Sequence, residues 1–258
     1  MEQNNNSYIK LYMKKPISWI ITLYAVIVLF LLLLDVSIVY WKIIDIPVEN
    51  LRNIFDITLK QSLANFASSI QRIFISITLI VIFFTLRTVD KRRAFMWFIT
   101  GVFFIYMALN EGIGFHKIIH DTVKEIIYSS NQSSILVKLL LMFPSYYWQL
   151  VLGPFFLVMG LFILFFLLKE LKGSHLKRYV YLAFLCFIIA ETLSFLEGTY
   201  IPVSIIHDKF GFYSDTIVHF MRITEETLEL SATTFFWYVF LTYLSHILDG
   251  KEITFIKE

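Results

Sequence analysis

The chain has 258 residues, of which 58% are apolar and 16% charged, against about 45–50% and about 25% in soluble domains. A soluble globular protein is excluded, and a net charge of +2 spread along the chain argues against a nucleic-acid partner. The lone cysteine, Cys186, forbids an intrachain disulfide or a cysteine-based metal site.

The hydropathy pattern predicts an all-α, polytopic membrane helix bundle in a single domain. A tail over 1–16 precedes a first span at 17–40, which is too long for a signal-peptide core and has no small-residue cleavage pattern after it. Further spans are expected at 67–86, 94–116, 146–168, 179–199 and 220–246, each about 20 residues or more, enough to cross about 30 Å of hydrocarbon. A second tail covers 249–258. Six spans place both termini on one side. The tails and the turns after spans two and four hold thirteen Lys and Arg, while the three opposite loops hold seven, so the termini are expected in the cytoplasm and the protein in the plasma (inner) membrane. The connections 42–66 and 117–145 mix charge with Ile, Leu and Phe and are expected to hold short interfacial helices.

Carboxylates inside the spans are the unusual feature, because charge at membrane depth is costly and rarely incidental. Counting about 1.5 Å of rise per residue from the cytoplasmic boundaries, Glu111, Glu197 and Glu229 fall at a similar height in the outer half, with Glu191 somewhat lower. Spans three and five run outward and span six inward, so this agreement predicts a shared, outward-facing pocket. His116 follows Glu111 across Gly112 and Gly114, glycines that would let the helix loosen and turn both side chains inward. His219, Arg222, Glu226 and Glu229 follow at intervals of three, four and three and make one helix face, with Glu225 beside it. Asp35, near the top of span one, is expected at the interface.

Three chemistries fit such a set. Glu111, His116, Glu226 and Glu229 could ligate a divalent metal ion, the one candidate cofactor. The same four could act as acid and base, with Glu191, Glu197, His219, Arg222 and Glu225 completing a site for a small or lipidic ligand. Or Arg72 and Arg222 could pair with some of the glutamates, with Thr192, Ser194 and Thr233 as hydrogen-bond partners, in a network that only fixes helix register. A proton- or ion-coupled transporter is the main alternative to a one-sided site; a structural or accessory subunit is the other. Enzyme activity stays open.

Two motifs carry a resemblance. Leu109-Asn110-Glu111 with His116-Lys117, and Glu225-Glu226-Thr227-Leu228-Glu229-Leu230, resemble a pattern Leu-Asp-Glu, four residues, His-Glu near the end of one span and Glu-Glu-x-Leu-Glu-Met opening the last. Both belong to an uncharacterised family of bacterial multi-pass membrane proteins, and the likeness covers about residues 65 to 246. The segment from Ala190 to Gly198 resembles the acidic stretch between the motifs. Asn110 and Lys117 depart from the family's Asp and Glu. The resemblance implies no activity, but it makes Glu111, His116, Glu226 and Glu229 the residues to test first.

Overall fold

The structure is a computed structural model. It describes residues 3–44, 47–59, 62–129, 134, 137, 147–199 and 201–248, with side chains at these positions except 3–16, 116, 117, 150, 198, 199, 201 and 202. The described residues are mostly helical, joined by short turns, with no strand among them. Helix α1 (Gln3–Leu34) runs into a π-helical turn at Asp35–Tyr40. A short α2 (Glu49–Phe55) follows, then α3 (Leu63–Leu86), α4 (Lys91–Ile113) and α5 (Phe115–Ser129). The rest comprises α6 (Tyr147–Glu170), α7 (Lys177–Thr199), α8 (Ile201–Phe210) and α9 (Ser214–Leu248).

Among the described residues, five stretches are long and apolar enough to cross a membrane: Ile17–Tyr40, Leu63–Leu86, Lys91–Ile113, Val151–Glu170 and Lys177–Glu197. The expected sixth span lies within α9. That helix is 35 residues long but is not among the five, because its first half carries Asp215, Arg222, Glu225, Glu226 and Glu229. It packs instead as a central spine against α7, α1 and α3. The outer sides of α1 and α6 expose large apolar residues such as Leu23, Phe30, Leu157 and Phe165, as helix faces in contact with lipid do.

Helices α3 and α4 form the tightest pair, joined by a short turn at 87–90. Asp90 caps α4 by accepting from the Arg93 N–H at 3.0 Å. Gly101 allows the close approach: a Cβ there would lie 3.3 Å from that of Leu79, and the Ser76 hydroxyl donates to the Gly101 carbonyl at 2.8 Å. The buried centre of the bundle is aromatic. Phe104 meets Phe236 and Phe240 at 5.7 and 5.8 Å between ring centroids, and Trp97 meets Phe240 at 5.8 Å.

Gly114 stands at φ 70°, a left-handed value that glycine adopts without penalty, and its N–H closes α4 by donating to the Asn110 carbonyl. Gly114 therefore ends the helix, and Gly112 stays within its last turn, so the two glycines do not loosen it. Glu111 lies in the last turn of α4, and His116 opens the separate α5.

Candidate functional site

The site starts on α3, an apolar span with a polar buried face. Asn65, Ser68, Ser69, Arg72 and Ser76 recur at helical spacing and are all buried, which turns the usual outside-polar pattern inward. Arg72 is fully buried. Its Nη1 donates to Glu111 Oε2 at 2.7 Å and its Nη2 to Glu229 Oε2 at 2.9 Å. One guanidinium thus ties the end of α4 to the middle of α9, and its Nε–H finds no acceptor among the described residues.

Beside it, Gln71 is also fully buried. Its amide nitrogen donates to Thr234 Oγ1 at 2.8 Å, and its carbonyl oxygen accepts from Thr233 Oγ1 at 2.6 Å. These bonds lock α3 to α9 immediately inside the ion pairs.

Glu226, one turn before Glu229, lies within electrostatic reach of Arg72, Glu111, Glu225 and Glu229. It makes no hydrogen bond or ion pair among the described residues. Glu225 sits beside the Ser194 hydroxyl and in the field of Glu191, Glu197 and Glu229. Glu191, on the open side of α7, feels Glu229. Three carboxylates from α4 and α9, Glu111, Glu226 and Glu229, therefore gather around one buried arginine, with Glu225 and Glu191 next to Glu229.

The expected single pocket divides at this point. His219 Nε2 lies 3.1 Å from Asp35 Oδ2, while Asp35 Oδ1 accepts from the Ile57 N–H at 3.0 Å. Asp35 is fully buried and so is not a solvated residue at the end of its span. The π-helical turn draws it into the bundle, where an imidazole and a backbone amide replace water. Tyr40, from the same turn, stacks on His219 at 5.6 Å and places its hydroxyl 3.3 Å from Thr216 Oγ1.

Arg222 takes a third partner. Its Nε and Nη2 donate to Glu197 Oε1 at 2.8 and 2.5 Å. His219, Arg222 and Glu229 do share one face of α9, but they span about 15 Å of its length at about 1.5 Å per residue. Each height meets a different neighbour: α1 at His219, α7 at Arg222, and α3 at Glu229.

Of the residues expected to form the site, Glu111, Glu226 and Glu229 converge, with Glu225 and Glu191 close by. His219, Arg222 and Glu197 belong to separate pairs. The His116 side chain lies outside the described residues. Among the described residues, no group of three or more His, Cys, Asp and Glu is placed to hold a metal ion, so the expected metal set is not supported. Its physical obstacle is Arg72, which occupies the position between Glu111 and Glu229 that a cation would need.

Sequence reasoning missed Gln71, and it missed a second polar cluster at the far end of the bundle. There Arg93 Nε donates to Glu170, Tyr243 donates its hydroxyl to the same carboxylate, and Arg93 Nη2 donates to Tyr243 at 2.7 Å. The signal for Gln71 was legible: polar residues at helical spacing within an apolar span mark a helix face turned away from lipid. Arg93 had been absorbed into the count of Lys and Arg in the turns, and Glu170 was not singled out.

These features define a helical membrane protein with an arginine-centred acidic site in one half of its bundle. A family model described as a domain of unknown function, DUF8692, matches residues 20–244, and the chain belongs to that family. No curated protein matches the chain, and no solved structure does.

Proposed function

We propose that the protein is a multi-pass protein of the plasma membrane whose acidic cluster works as acid and base toward a small or lipidic ligand from the outer side. One observation carries this reading: Glu111, Glu226 and Glu229 share a single buried guanidinium, and Glu225 and Glu191 add their charge beside Glu229. Arg72 engages two of them. Low-dielectric surroundings do not support the remaining charge, so it is balanced by protons or by a cationic ligand. Groups that exchange protons in such a place are equipped for general acid and base work. Glu226 is the first candidate for the proton carrier. Glu225 and Glu191 complete its field, and Arg72 is the positioning residue that holds Glu111 and Glu229.

Orientation rests on charge. The two Lys- and Arg-rich turns, 87–93 and 169–178, lie at one end of the bundle because Arg93 bonds Glu170, and the positive-inside rule assigns that end to the cytoplasm. The acidic cluster then faces outward. A transporter would need a polar route joining the two ends. Between the clusters stand Ile75, Leu79, Trp97, Phe104, Phe236 and Phe240, all buried, and this apolar layer favours a one-sided site.

Infrared spectroscopy of the purified protein, titrated with pH and compared with Glu226→Gln, tests the proposal. The expected result is a protonated-carboxyl band that titrates in the wild type, disappears in Glu226→Gln and persists in Glu125→Gln, a control on α5. An identical carboxyl band in wild type and Glu226→Gln would remove the proton carrier from the proposal.

A further inference from the structure

At the opposite end, the first turn of α4 runs Lys91, Arg92, Arg93. Three cations at a helix N-terminus stand against the helix dipole, which favours anions there. Arg93 is compensated by Glu170. Lys91, Arg92 and Arg87 are exposed, and none has an ion pair among the described residues. The guanidinium of Arg87 lies 5.0 Å from the centre of the Phe84 ring.

These charges border a groove of about 450 Å³ lined by Phe83, Arg87, Thr88, Lys91 and Phe95. Its composition changes along its length. Arg87, Thr88 and Lys91 lie at or beside the turn between α3 and α4, and Phe83 and Phe95 lie one turn further into the two apolar spans. Phe98 extends the aromatic wall beyond them, 5.2 Å from Phe83 and 6.5 Å from Phe95 between ring centroids. Two cations and a hydroxyl beside the exposed ring of Phe95 and the half-buried ring of Phe83 match, in order, an anionic head group and the start of an acyl chain.

We propose that this groove binds an anionic phospholipid, with the head-group phosphate on Arg87 and Lys91, the Thr88 hydroxyl as a further donor, and an acyl chain along Phe83 and Phe95. Charge complementarity selects this occupant. A free anion would leave the aromatic wall unused, and a zwitterionic lipid would bring its own cation against two others. The site is independent of the acidic cluster, which lies in the other half of the bundle.

Native mass spectrometry of the full-length protein in neutral detergent, with phosphatidylglycerol or phosphatidylcholine added, tests it. The wild type is expected to retain phosphatidylglycerol in preference to phosphatidylcholine. Arg87→Gln combined with Lys91→Gln should weaken that retention about tenfold or more. Lys172→Gln combined with Lys177→Gln removes the same charge from the neighbouring turn and should leave it near the wild-type level. Phe95→Ala keeps both cations and should also weaken it. Equal losses from the two charge pairs would mean diffuse attraction to charged lipid and overturn the site. Retention of inorganic phosphate at these cations with no retention of phosphatidylglycerol would make it a free-anion site and overturn the lipid assignment. No preference between the lipids would end the proposal.

Discussion

Both ends of the bundle place an arginine against a carboxylate, and they use it differently. At the Arg93 end, one guanidinium, one carboxylate and one phenol satisfy each other: Arg93 and Tyr243 both donate to Glu170. At the Arg72 end, the guanidinium serves Glu111 and Glu229 while Glu226 shares its field and Glu225 and Glu191 add their charge beside Glu229. A closed set needs nothing more and behaves as a lock between α4, α6 and α9. The open set carries more acid than its cation can balance, and proton or ligand chemistry needs that imbalance. The two differ in stoichiometry far more than in residue type.

This contrast can be broken most forcefully at Arg72. Arg72→Met leaves Glu111 and Glu229 without their buried cation, and thermal unfolding in detergent should register a loss of about 3–5 kcal/mol. Adding Glu111→Gln and Glu229→Gln to that variant should restore part of the loss, since no uncompensated charge then remains at the pair. Next comes Glu170→Gln, expected to cost about 1.5–3 kcal/mol while leaving the carboxyl infrared signal of the acidic cluster intact. An altered signal would show that the ends are coupled through the aromatic layer.

Asp35→Asn sharpens the separation of the His219 pair from the Arg72 cluster. It weakens the bonds from the Ile57 N–H and His219, and about 1–3 kcal/mol is expected in the same unfolding assay, with the Glu226 infrared signal unchanged. The smallest effect is expected from Arg222→Gln. That side chain is 47% exposed, so loss of its pair with Glu197 should shift stability by less than about 1 kcal/mol.

Hydropathy alone was enough to identify the helical membrane bundle, because a run such as 17–40 admits no other reading. Residue counting put Glu111, Glu197 and Glu229 at one height; Glu111 and Glu229 do meet on Arg72, whereas Glu197 pairs with Arg222. The division of the remaining residues was not legible. Residue spacing assigns His219, Arg222 and Glu229 to one face of α9, but which helix packs at each height is a tertiary fact. The burial of Asp35 was missed because a π-helical turn shifts the phase of side chains by an extra residue, and composition does not announce such a turn. His116 was joined to Glu111 by reading Gly112 and Gly114 as a loosened helix, whereas Gly114 takes a left-handed φ and stops it. The role of Arg72 as the hub was within reach: it was weighed only as a partner of some glutamates, although its neighbours Asn65, Ser68, Ser69 and Ser76 already marked an inward polar face.

The most direct measurement is a double-mutant cycle of unfolding free energies for Arg72→Met and Glu229→Gln, residues 157 positions apart in the chain. If the guanidinium holds that carboxylate at the centre of the acidic cluster, the loss in the double variant should fall short of the sum of the single losses by about 1–3 kcal/mol. Losses that add to within about 0.5 kcal/mol would show that the two side chains do not meet, and the arginine-centred site would be contradicted.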